Sequence, residues 1–170
     1  ITRLTGSGLS IVHWRPVTGA LPPITVRDWE ELFAQYRTSP QFRLENATMT
    51  LEGFKRIFWW EYIHRLVGRG LGVVFAVPFV WFWRKKLIPS TMWPRLGLIS
   101  ALGGAQGVMG WLMVKSGLVD DPRVSPIRLA LHLGLAFLLI GALVRTAQEV
   151  VDTAPVTSSP QRVKLARELA

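Results

Sequence analysis

The chain has 170 residues, 49% hydrophobic and 18% charged, with a formal net charge of +9 and no cysteine. A soluble domain usually carries about a quarter charged residues; here the apolar residues are bunched into runs of roughly 20, enough to cross a bilayer core. The basic residues cluster at the ends of those runs, as in Arg84-Lys85-Lys86, which fits topology and lipid headgroups and excludes a nucleic-acid groove. Without cysteine there is no disulfide framework, thiolate metal site or covalent heme attachment.

Residues 1–50 form a polar segment rich in Pro and Gly. Within it, Thr25-Val-Arg-Asp28 resembles a capping box, with Asp in the usual Glu position. Trp29, Leu32, Phe33 and Tyr36 then fall on one stripe, predicting a short amphipathic helix. It either lies on a membrane face or packs on the protein's own helices.

Thr50 is placed to cap a long helix running to about Trp83, mostly apolar and aromatic from Ile57 on. That apolar part spans roughly 40 Å against a bilayer core of about 30 Å, so one end protrudes or the helix tilts. Pro78 is a kink point. The basic Arg84–Arg95 turn, with Pro89 and Pro94, precedes a second span over about Leu96–Val114. A polar loop with Asp120-Asp121-Pro122 leads to a third span from Pro126 to Val144 or Val151. The tail, with Pro155, Ser158, Ser159 and Pro160, reads as a linker, and the chain opens at Ile1 as if in a loop of a longer protein.

The fold class expected is all-α integral membrane: a transmembrane helical bundle with three spans running up-down-up. Residues 1–50 form an extracytoplasmic loop with a short helix, 51–151 the membrane region and 152–170 a cytoplasmic or matrix linker. The positive-inside rule puts the Arg84–Arg95 turn and the basic tail inside.

The first and third spans run parallel, which places His64 and His132 at similar depth near the outer side. Two facing imidazoles suit the axial positions of a heme iron. The alternative is that each is a core histidine satisfied by a carbonyl or water, although ionisable groups within membranes are usually functional. Glu61 shares the His64 face; it can move protons or pair with Arg65 four residues on. Glu-x-x-His also occurs in di-iron bundles, but the spans offer no further carboxylate besides Glu149. Arg65 and Arg69 suit heme propionates or lipid phosphates. Arg128 and Lys115 are further candidates at the outer rim, or else solvated loop cations. Gly68 with Gly72, and Gly103 with Gly107, stand at helix-packing spacing, and Gln106 reads as an inter-helix amide. The Trp59-Trp60 pair with Trp81, Trp83, Trp93 and Trp111 fits interfacial belts.

Five linked motifs then resemble one family, heme A synthase. They are Thr2-Arg-Leu-Thr-Gly-Ser-Gly-Leu-Ser10, Pro16-Val-Thr-Gly-Ala-Leu-Pro-Pro23 and Glu61-Tyr-Ile-His-Arg-Leu-Val-Gly-Arg69, followed by Gln106-Gly-Val-Met-Gly-Trp-Leu-Met-Val-Lys-Ser-Gly-Leu118 and Val124-Ser-Pro-Ile-Arg-Leu-Ala-Leu-His132. The likeness covers roughly residues 1–145 and is nearest to the alphaproteobacterial and mitochondrial type. It implies eight membrane helices in two similar halves, with this chain supplying helices two to four. It further implies His64 and His132 as axial ligands of heme iron and Glu61 as the acidic residue needed for activity, while Arg65, Arg69 and Arg128 are cofactor-binding candidates from their own chemistry.

The implied reaction is oxidation of the C8 methyl of heme O to a formyl group with oxygen from water, giving heme A for cytochrome oxidase. Heme O, with heme B as an alternative bound heme, the lipid bilayer and the other half of the same protein are the implied partners. Heme O synthase, an electron carrier and self-association complete that set. The implied location is a bacterial cytoplasmic or mitochondrial inner membrane. Tyr62, where the family often has Trp, Ile127, where it usually has Tyr, and His13 depart from the pattern; His13 is expected to be an exposed loop residue. The competing readings are a cytochrome b-like electron-transfer subunit and a non-enzymatic assembly factor.

Overall fold

The first backbone N–H groups of a helix lack internal acceptors, and in this chain hydroxyl and carboxylate side chains supply them. The computed structural model describes residues 2–13, 18–119, 122 and 125–153, with the backbone alone at Thr18 and Thr153. The expected linker therefore lies outside the described residues from residue 154 on.

Helix α1 (Val26–Arg37) begins at Thr25, whose hydroxyl accepts from the Asp28 N–H at 3.1 Å while the Thr25 N–H donates to Asp28 Oδ2 at 2.9 Å. The capping box is thus formed. Helix α2 (Pro40–Glu45) follows, with Ser39 accepting from the Phe42 N–H at 3.2 Å and Pro40 in the first turn. It is absent from the sequence expectations, although Ser-Pro is a start signal. Helix α3 (Leu51–Arg84) starts at Thr50, which accepts from the Gly53 N–H at 3.3 Å. A 3-10 turn (Ser90–Met92) leads to α4 (Trp93–Gly117), and α5 (Pro126–Thr153) completes the order.

The described residues form no strand, and three helices are long and apolar enough to cross a membrane. Helix α3 has 34 residues, about 51 Å at 1.5 Å each, so it outruns the hydrocarbon layer by more than the apolar stretch alone implies. It continues through Pro78 as one helix.

The amphipathic stripe of α1 packs on the protein itself. Trp29, Leu32, Phe33 and Tyr36 close against Phe54, Phe58 and neighbouring residues of α3. Trp29 meets Phe58 edge-on at 5.0 Å, and Tyr36 stacks on Phe54 at 5.1 Å. This aromatic core sits at the N-terminal end of α3, leaving the apolar side chains of the spans turned outward, as a lipid solvent permits.

Helices α4 and α5 pack closely along each other, whereas α3 makes few close backbone approaches to either. At the end where α3 finishes, Arg95 of α4 and Arg145 of α5 both pair with Glu149, and Phe79 of α3 meets Trp93 at 6.1 Å. Trp81, Trp83 and Trp93 lie exposed around this end and Trp59 and Trp60 near the opposite one. Trp111 carries the Lys115 ammonium 4.8 Å from its ring centre.

Candidate functional site

Residues 61, 65 and 69 recur one turn apart on α3, so they climb one flank of the helix at about 100° per residue. Glu61 is 2% exposed. Its Oε2 accepts from the Ser10 hydroxyl at 2.7 Å and from the Ile11 N–H at 2.8 Å. Its Oε1 pairs with Arg65 Nη2, which also donates to the Ile11 carbonyl at 2.9 Å. The i,i+4 pairing open in the sequence is realised, and the loop partners at Ser10 and Ile11 are new.

Tyr62 donates its phenol to the Ala20 carbonyl at 2.6 Å. Arg65 and Arg69 line a cavity of about 220 Å³ with His13, Asp28, Glu31 and Tyr62. That volume falls below the roughly 300–1,000 Å³ of pockets that enclose a small ligand. His13 is exposed there, as a loop histidine.

His64 lies three residues after Glu61, about 60° round the helix to the other side, and 140° from Arg69. It does not line that cavity. It is exposed on α3, on the flank of Gly68, where a Cβ would meet nothing within 4 Å. His132 is held differently. Gln106 Nε2 of α4 stands 3.4 Å from His132 Nε2, and a Cβ on Gly110 would lie 3.4 Å from His132 Cε1. Gln106 thus links α4 to α5, as its isolation in an apolar span suggested. His132 Nδ1 is buried with no hydrogen-bond partner among the described residues. The two imidazoles stand on different helices, His64 on α3 and His132 on α5. Arg128 is exposed in the first turn of α5, apart from the Glu61 cluster. Among the described residues, no three His, Asp or Glu side chains gather as a metal site of their own.

The sequence profile of the cytochrome oxidase assembly protein family matches residues 1–170. The chain belongs to this family. Among curated relatives, the heme A synthase of Nitrosospira multiformis is 51% identical over 152 residues, which is 89% of this chain and 43% of the relative. The heme A synthases of Parvibaculum lavamentivorans and Novosphingobium aromaticivorans are 53% and 54% identical, each over 89% of this chain and 44% of their own length. The chain therefore spans less than half the length of the curated relatives it matches. No solved structure gives a significant match. This cytochrome oxidase assembly protein family member is a membrane protein, and its three long apolar helices are the spans.

Proposed function

We propose that the chain is the heme-ligating part of a heme A synthase, with His64 and His132 as the axial pair in one bundle. The observation that carries this reading is the placement of two imidazoles on separate spans, each in the N-terminal half of its helix. The residues fit the group. His132 Nδ1 is buried with no hydrogen-bond partner among the described residues, His64 is exposed on the flank of Gly68 with open space beside that glycine, and the surrounding spans are apolar. The iron of a bound heme would supply the electron-transfer chemistry.

The substrate under this reading is heme O. Conversion of its C8 methyl to a formyl group consumes one water and releases four electrons and four protons per heme. The electrons therefore need an acceptor, and an electron carrier belongs to the proposal. Heme B, heme O synthase, the remaining half of the protein and self-association belong to it equally. So does the division into an outer loop region (1–50), a heme-binding membrane region (51–151) and an inner segment (152–170). Arg69 and Arg128 are the cations proposed for the propionates, with Arg65 beside Arg69 but already held by Glu61 and Ile11. Glu61 is proposed as the carboxylate needed for conversion.

Heme extraction and mass analysis of the full-length protein, co-expressed with a heme O source, tests the reading. Heme A or its hydroxylated precursor is expected from the parent, with altered heme binding in His64→Ala and His132→Ala. Bound but unmodified heme would replace the synthase with an electron-transfer subunit. No bound heme would remove both readings.

A further inference from the structure

The loop that reaches Glu61 is anchored at more than one place. Gly6, at φ +63°, turns the chain so that its carbonyl accepts from Gln41 Nε2 of α2 at 2.9 Å. Ser7, Leu9 and Ser10 are then buried, and Thr5 Oγ1 bonds Ser7 Oγ at 2.8 Å. Leu9 presses on the C-terminal turn of α4 so tightly that a Cβ on Gly117 would lie 2.8 Å from its methyl carbon. One residue later, Ser10 and Ile11 bind Glu61 and Arg65 of α3, and both backbone polar groups of Ile11 are taken by that ion pair. The segment therefore bridges α3 and α4 at the outer end, where the helices themselves approach little.

We propose that residues 7–12 form a strap gripped by the Glu61–Arg65 pair and seated on Gly117, which fixes α3 against the α4–α5 pair and thereby sets the spacing of His64 and His132. Glu61 is in this view a positioning residue. Its carboxylate is committed to two loop donors and an arginine, and His64, one turn on along the same helix, moves with it. The role assigned to the histidines rests on the heme reading above; the strap itself does not.

The test uses the full-length protein in membranes, with Glu61→Gln, Ser10→Ala and Gly117→Val compared for three readouts. These are amide exchange at residues 7–12, the absorption and paramagnetic spectra of bound heme, and heme conversion. Glu61→Gln and Gly117→Val are expected to speed exchange at Ile11 by about tenfold, the loss of one hydrogen bond to a charged group. Both are expected to shift the heme spectrum and lower conversion together, and Ser10→Ala to do so more weakly.

Gly117→Val lies outside the ion pair, so its agreement with Glu61→Gln would mark the strap as the common cause. Abolished conversion in Glu61→Gln with exchange and spectrum unchanged would overturn the proposal in favour of direct proton transfer. A freed strap with an unchanged heme spectrum would overturn the spacing role. A parent protein that binds no heme would sink the heme reading and the spacing role, while exchange at Ile11 would still decide whether the clamp exists.

Discussion

A carboxylate buried as deeply as Glu61 is costly unless its charge is matched and its lone pairs are filled. Arg65 matches the charge, while Ser10 and Ile11 fill the second oxygen. Removing Arg65 leaves the carboxylate in place without its counter-charge, and breaking a buried pair in this way costs about 3–5 kcal/mol. The Arg65 side chain keeps 14% exposure, so Arg65→Ala is expected near the lower end, about 3 kcal/mol. Thermal unfolding in detergent, followed by near-ultraviolet dichroism of the tryptophans, measures it. The double variant Glu61→Leu with Arg65→Met is expected to lose less than the sum of the singles, because no charge remains buried; strict additivity would show that the pair is solvent-screened. Spacing revealed Arg65 as a partner because i,i+4 residues meet on any helix. Ser10 is 51 residues away in sequence, and no local pattern encodes that contact.

Helices α1 and α3 show which elements could be read in advance. Their caps, Thr25 with Asp28 and Thr50, are local chemistry, and the α1 stripe found its partner in the aromatic residues at the start of α3. Between the membrane face and the protein, the choice fell to packing on Phe54 and Phe58. The capping box carries a pH dependence. Asp28 is held below its ordinary 3.8, first by the Thr25 backbone N–H, then by the Thr25 hydroxyl and the Ile24 N–H. A depressed carboxylate contributes stability above its unfolded value, and that contribution is lost as pH falls through the folded value. Amide exchange at Ile24 and Thr25 is therefore expected to accelerate, relative to α3 amides, as pH falls below about 4. Asp28→Asn should abolish that acid dependence; its persistence would place the sensitivity elsewhere. In α4 the informative position is Gly110. A Cβ there would sit 3.4 Å from His132 Cε1, so Gly110→Val is expected to turn the imidazole and shift the spectrum of any heme bound by His132, where Gly103→Val, with open space beside it, would not. Equal spectra for the two variants would separate His132 from the α4 surface.

At the scale of the whole molecule, apolar run length gave three spans, and charge gave an orientation without a membrane being present. What hydropathy could not give is the unequal spacing of the helices: α4 and α5 pair closely, and α3 is joined to them mainly at its ends. Hydropathy scores each span alone, and contacts such as Leu9 on Gly117 cross 108 residues of sequence. The orientation is open to direct measurement. Arg84, Lys85, Lys86 and Arg95 crowd the turn between α3 and α4, and positive charge is retained on the inner side. Because α3 and α5 both start at the opposite side, His64 and His132 share the outer half of the bundle in that orientation. The chain has no cysteine, so single cysteines at exposed Lys86 and Val119 report its two faces cleanly in a full-length protein freed of other cysteines. Val119→Cys is expected to react with an impermeant maleimide in intact cells or spheroplasts, and Lys86→Cys only after permeabilisation. The reverse pattern would invert the bundle and bring both histidines to the inner half. Heme would then have to reach them from the cytoplasmic or matrix side, and the strap over residues 7–12 would brace the inner end of the bundle instead of the outer one.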